Sequence, residues 1–269
     1  MKHLRVSSSL LIAIVAAIGC GSGKPQDASA TSDEQSGSVA PIQLAEAPAD
    51  AQPVPGGGSA SIRGTVRVTG TPPAREKIKM DADPVCQQQH TSPAYSNEVV
   101  VNDNGMLRDV VVYVKEGLSG TFPAPTAPVT LEQSGCWYIP HVFGIQVNQP
   151  LEIVNSDSTL HNINAKPSAN PPFNVAQPVK GMKTTKKFTT PEVGVKFKCN
   201  VHPWMSAYAV VLTHPFFSVS GEDGTFAMTG LPAGTYVVEA WHSTYGTQTQ
   251  TVNVGDGETK SVEIAFKGQ

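Results

Sequence analysis

Cys199-Asn200-Val201-His202-Pro203-Trp204-Met205 sets a thiol, an imidazole and a thioether at successive intervals of three residues. A second imidazole, His161, lies 38 residues upstream in Leu160-His161-Asn162-Ile163. Two histidines, one cysteine and one methionine are the donor set of electron-transfer copper sites, which are trigonal His₂Cys with a weak, long thioether. Copper(I) favours soft sulfur and copper(II) favours nitrogen, so a mixed set holds both states with little rearrangement. Zinc is a poorer match, because its structural sites draw on Cys, His and carboxylates rather than Met. The Cys-x₂-His-x₂-Met spacing fits a short loop between neighbouring strands, and His161 must then come from another strand. The expectation is one copper ion held by His161, Cys199, His202 and Met205.

The surroundings argue against catalysis. Lys198 and Asn200 flank Cys199, unlike the His-Cys-His that blue multicopper oxidases carry, so no coupled copper cluster is expected. His90, His141, His214 and His242 are scattered, and each is expected to be a solvent or core histidine. No small-molecule substrate is evident, and the expectation is a carrier rather than an enzyme.

Those donors need a rigid frame, and the pattern supplies strands. The chain has 269 residues, 15% charged, with a net charge of -3, 24 Gly and 22 Pro. That balance lacks the basic patch of a nucleic-acid binder. Scattered Gly and Pro fit many short strands joined by turns. Ser61 to Val68 alternates, as a strand with one buried face does. Asn97 to Val101 and Val110 to Val114 read as strands, with a turn at Asn102-Asp103-Asn104-Gly105. Val195, Phe197 and Cys199 fall on one face of their strand and Lys196 and Lys198 on the other, which puts the thiol inward. Helical periodicity is absent. After Phe217, Asp-Gly and Pro-Ala-Gly turns separate short strands at regular spacing, an all-β sandwich signature.

The N-terminus reads as a targeting segment. Lys2, His3 and Arg5 precede an apolar run, Leu10 to Ile18, too short to span a bilayer. Residues 1–19 are the expected signal peptide. Ala17-Ile18-Gly19-Cys20 resembles a bacterial lipobox, with Cys20 carrying the lipid. Ala17 departs from the usual Leu, which leaves ordinary signal-peptidase cleavage open. Residues 20–59 are poor in large apolar side chains and read as a disordered tether. The expected location is periplasmic or cell-surface, with the outer membrane favoured. An oxidising compartment permits disulfides. With Cys20 and Cys199 otherwise engaged, Cys86 and Cys136 are expected to pair. The rival is a second metal site from Cys86-x₃-His90 and Cys136-x₄-His141.

The residues around the donors resemble the cupredoxins. His202-Pro203, an aromatic and Met205 resemble the short ligand loop of the amicyanins, and Asn155-Ser156-Asp157 through His161-Asn162 resembles the cupredoxin segment ending in a His-Asn pair. The resemblance covers residues 98–214. It implies a Greek-key β-sandwich, equatorial His161, Cys199 and His202, axial Met205, and Asn162 bracing the ligand loop by hydrogen bonding. It also implies that His202 lies at the exposed end of the site, and Pro203, Trp204 and Phe143 are the residues expected to supply an apolar rim there. Residues 215–269 resemble carboxypeptidase-regulatory-like, transthyretin-like modules. Those modules open with a strand like Ile62 to Val66, which places the opening strand of segment 60–97 with the C-terminal unit.

Lys180, Lys183, Lys186, Lys187, Lys196 and Lys198 make the approach to the site basic, against Glu192 alone. An acidic redox protein is the partner this charge favours. Two other functions fit the same residues: copper storage or delivery, and a cell-surface interaction module with incidental copper.

Overall fold

A computed structural model describes residues 57–268. The signal segment, Cys20 and nearly all of the tether lie outside the described residues. Alternating and continuous apolar runs become sixteen strands among the described residues, and only one helical turn interrupts them. The chain begins with β1 (Ala60–Thr69), α1 (Pro84–Gln88), β2 (Val111–Glu116), β3 (Val129–Ser134), β4 (Trp137–Ile139) and β5 (Val142–Gln146). It continues through β6 (Leu151–Asn155), β7 (His161–Ala165), β8 (Phe173–Gln177), β9 (Lys183–Lys186), β10 (Glu192–Lys198) and β11 (Ser206–Leu212). It ends with β12 (Phe217–Val219), β13 (Thr225–Leu231), β14 (Gly234–His242), β15 (Gly246–Val254) and β16 (Thr259–Lys267).

The strands form four sheets, ordered β13-β1-β16, β12-β2-β14-β15, β5-β11-β10-β7-β8 and β4-β3-β6-β9. Three apolar cores lie between them. Ile62, Val112, Val114, Phe226, Tyr236 and Phe266 fill the first sandwich. Leu131, Ile145, Ile153, Ile163, Phe197 and Ala209 fill the second, which carries the Cys-His-Met loop. Val111, Tyr113, Val142, Tyr208 and Val210 join the two sandwiches back to back. The fold is therefore all-β, two β-sandwiches sharing a buried face.

This stacking corrects two expectations. β2 was expected within residues 98–214, yet it is hydrogen-bonded to β12 and β14 in the other sandwich. Its apolar run is continuous because Val112 and Val114 face one core and Val111 and Tyr113 face another. A strand buried on both faces loses the alternation that would mark its sheet. Asn97 to Val101 forms no strand, only a bridge between Val101 and Leu107. Meanwhile β1 pairs antiparallel with β13 and parallel with β16.

Residues 76–96 leave the first sandwich and pack on the second as a closed strap. Its base is tied by Ile78 N–H to Ala94 O at 2.9 Å and Ser96 N–H to Glu76 O at 2.8 Å. Met80 and Cys86 are its buried anchors. Asp83 caps α1, and its carboxylate accepts the amides of Val85 and Cys86.

Candidate metal centre

Cys199 directly follows β10 and is buried, and His161 opens the neighbouring β7. The loop 199–205 is closed by Cys199 N–H to Met205 O at 3.2 Å and Met205 N–H to His202 O at 3.0 Å. A tight closure turns the donors of a seven-residue loop back onto one point. The donor atoms of His161, Cys199 and His202 all lie within 4.8 Å of one another. Met205 is fully buried beside Cys199 in the same core. The loop is braced from β7. Asn200 N–H donates to Asn162 Oδ1 at 2.5 Å, and Asn164 Nδ2 donates to Asn200 Oδ1 at 3.1 Å. Asn162 thus braces the loop by hydrogen bonding, and Tyr138 fixes it further by donating its hydroxyl to Asn162 O at 2.5 Å.

The imidazoles are oriented from outside. His161 Nε2 lies 2.8 Å from Asp157 Oδ2, and His202 Nε2 lies 3.0 Å from Asp83 Oδ2. Both outer nitrogens therefore donate to carboxylates. Both Nδ1 atoms then point inward, 3.0 Å apart, with Cys199 Sγ 3.8 Å from His202 Nδ1. In the metal-free chain a proton on His161 can be shared across the 3.0 Å between the two Nδ1 atoms and beside the thiolate, and a bound cation would take that proton's place. A soft-sulfur, two-imidazole set with a buried thioether fits copper better than zinc or magnesium.

The electrostatics agree with a deprotonated thiol. Burial by itself raises the Cys199 pKa, but hydrogen bonding to His161 and His202 outweighs burial and brings it to about 5. For His161, burial disfavours the charge, while Asp157 and the Cys199 thiolate favour it and push the imidazole up to about 9. His202 moves the same way, burial opposing Cys199 and Asp83. Asp157 is lowered despite its burial, by His161 and by the amides of Cys136 and Gly135.

His202 is not at an exposed end. It is 2% exposed, covered by the strap through Asp83 and by Cys86 Sγ at 3.5 Å from Nε2. Trp204, half-buried, sits with its ring 5.2 Å from the His202 ring and donates Nε1–H to Cys136 O at 3.0 Å. Phe143 forms no rim; it is buried and stacks on Phe197. The expected opening is closed because the strap, absent from the short-loop pattern, folds over it.

Cys86 and Cys136 form a disulfide. Their sulfurs are therefore not free to hold a second ion, although they lie near His202. His90 contacts Gly135 O at 2.8 Å and His141 contacts Ser206 O at 3.0 Å. His141, His214 and His242 are buried and belong to none of the clusters of close metal-ligating groups among the described residues. The basic approach is partly spent: Lys183 pairs with Glu152 at 2.9 Å, and Lys186 and Lys196 lie over Phe173 and Tyr208. Lys180, Lys187 and Lys198 stand exposed. Asp83 is the residue the spacing of donors does not reveal. An Asp-Pro pair ahead of a short polar turn marks it only as a helix cap.

Residues 205–267 match the family model described as carboxypeptidase regulatory-like domain. The match opens at Met205, just before β11, which is paired into the metal-site sandwich, and extends through β12 to β16. No curated protein matches the chain. Among solved structures, a Cu-containing nitrite reductase from Thermus scotoductus SA-01 is 25% identical with a TM-score of 0.30, over 35% of this chain and 24% of that one. A purple cupredoxin from Nitrosopumilus maritimus is 23% identical with a TM-score of 0.27, over 32% of this chain and 98% of that one. A Cu(I) mutant of amicyanin is 16% identical with a TM-score of 0.28, over 31% of this chain and 81% of that one.

Proposed function

We propose that this chain is an exported, membrane-tethered carrier of single electrons, holding one copper ion at His161, Cys199, His202 and Met205. The observation that carries this reading is the convergence of two inward Nδ1 atoms and a lowered-pKa thiol in a buried space, with both outer nitrogens already donated to carboxylates. The ion supplies a reversible one-electron change between its two oxidation states. The chain supplies the rest. Cys199 would give an anionic soft donor, His161 and His202 would give nitrogen donors, and Met205 would offer a neutral thioether. The sandwich and the Asn162 brace hold these groups through the change, which keeps reorganisation small. Burial excludes water as a further ligand, so the site passes electrons without transforming a substrate.

Copper storage or delivery is the second reading. The strap disfavours it, because an ion under Asp83, Cys86 and Trp204 exchanges slowly with another protein. The lipid at Cys20 would hold the carrier at a membrane, and the exposed Lys180, Lys187 and Lys198 favour an acidic redox protein as partner.

Copper titration of the purified chain tests the reading. One copper per chain is expected, lost in His161→Ala. Stoichiometric copper retained in that variant overturns the assignment.

A further inference from the structure

The two histidine rings share a feature that the donor set does not require. Each outer nitrogen meets a carboxylate, and the two carboxylates arrive from separate segments. Asp83 comes from the strap and Asp157 from the turn between β6 and β7. Each is itself held. Asp83 Oδ1 accepts the Val85 amide at 2.8 Å, and its Oδ2 accepts Thr159 Oγ1 at 2.7 Å. Asp157 Oδ1 accepts the Gly135 amide at 2.9 Å, and its Oδ2 accepts the Cys136 amide at 2.8 Å. Cys136 joins the two systems, since its amide holds Asp157 and its sulfur is bonded to Cys86 beside Asp83.

We infer that Asp83 and Asp157 are paired positioning residues that fix both imidazoles with Nδ1 inward and bias the centre toward its more highly charged oxidation state. The inference rests on the copper reading above. Carboxylates that accept several donors stay ionised, so each Nε2 carries the proton and each Nδ1 carries the lone pair. An anion behind the ring raises the basicity of the inner nitrogen. Two such anions near the ion lower the energy of the divalent state more than that of the monovalent state. The pair therefore sets the preference for copper(II) over copper(I), and with it the direction in which the carrier gives up its electron.

The test compares copper-loaded wild type with Asp83→Asn and Asp157→Asn, in the full chain. Equilibrium constants for copper(II) and copper(I) and the reduction potential are measured for each. The expected result is copper(II) affinity weakened on the order of 10–100-fold, copper(I) affinity changed much less, and a higher potential in both variants. Thr159→Val removes one donor from Asp83 but leaves the carboxylate and the ring contact, and should move the ratio much less than Asp83→Asn does. Two folded, blue asparagine variants with the wild-type ratio of affinities overturn the inference while the copper reading stands. The same shift from Thr159→Val also overturns it, because loosened packing then accounts for the effect. A wild type that binds no copper removes both. If one asparagine variant does not fold, the other decides alone.

Discussion

Asp83 Oδ2 lies 3.0 Å from His202 Nε2, although the two residues are 119 apart in sequence. The contact closes the face of the site at which the loop pattern leaves a histidine edge open. It also binds the fate of the strap to that of the centre. The strap is tied at its base by backbone hydrogen bonds and at its tip by one disulfide. Cys86 and Trp204 both lie against the His202 ring.

Removing the crosslink should cost stability without removing the ion. Cys86 and Cys136 close a loop of 50 residues. A loop of that length corresponds to roughly 4 kcal/mol on the chain-entropy model. Cys86→Ser is expected to lower the urea midpoint accordingly, while the folded, copper-loaded variant stays blue. Loss of colour in a fully folded variant would mean that the disulfide belongs to the centre itself.

Gly194 is a point where the two sandwiches test each other. It sits at a bulge in β10 with φ +80°, and a Cβ there would lie 2.8 Å from Trp241 Cζ2. Trp241 belongs to β14 of the other sandwich. Gly194→Ala adds left-handed strain to overpacking and should destabilise by about 2 kcal/mol. Chemical denaturation checks it, and an unchanged midpoint would show that the shared face is loose.

Acid should weaken the metal-free protein. Burial lowers the His242 pKa from 6.5 to about 4, and its Nδ1 accepts the amides of Thr244 and Tyr245. The native state therefore binds fewer protons than the unfolded state between those values. The contribution is complete above pH 6.5 and is lost as pH falls toward 4, amounting to about 3 kcal/mol. Burial lowers His141 and His214 in the same direction. The Cys199–His161 pair adds to the slope from pH 6.5 down to about 5. There the unfolded chain carries a thiol and an imidazolium, and the native chain a thiolate and an imidazolium. Urea midpoints at pH 7 and pH 4.5 should differ clearly; equal midpoints contradict the burial of these histidines.

The meeting of Cys199 and His202 was legible because both sit in one short loop, where spacing alone makes them converge. Cys199 was legible as inward because β10 keeps strict alternation through Val195 and Phe197. Asp83 was not, because a carboxylate that acts through a distant ring leaves no local spacing. The sheet of β2 was not legible either. Burial on both faces erased its period, so Val110 to Val114 fitted either sandwich equally well. The exposed edge expected for His202 failed for the same reason as Asp83, since the strap reaches the site only through long-range packing.

The most direct measurement is the visible absorption of the copper(II)-loaded chain beside that of Cys199→Ser. Thiolate-to-copper charge transfer predicts an intense blue colour in the wild type and its loss in the variant. A wild type that carries one copper(II) ion per chain and stays colourless would contradict the central claim that Cys199 binds the metal.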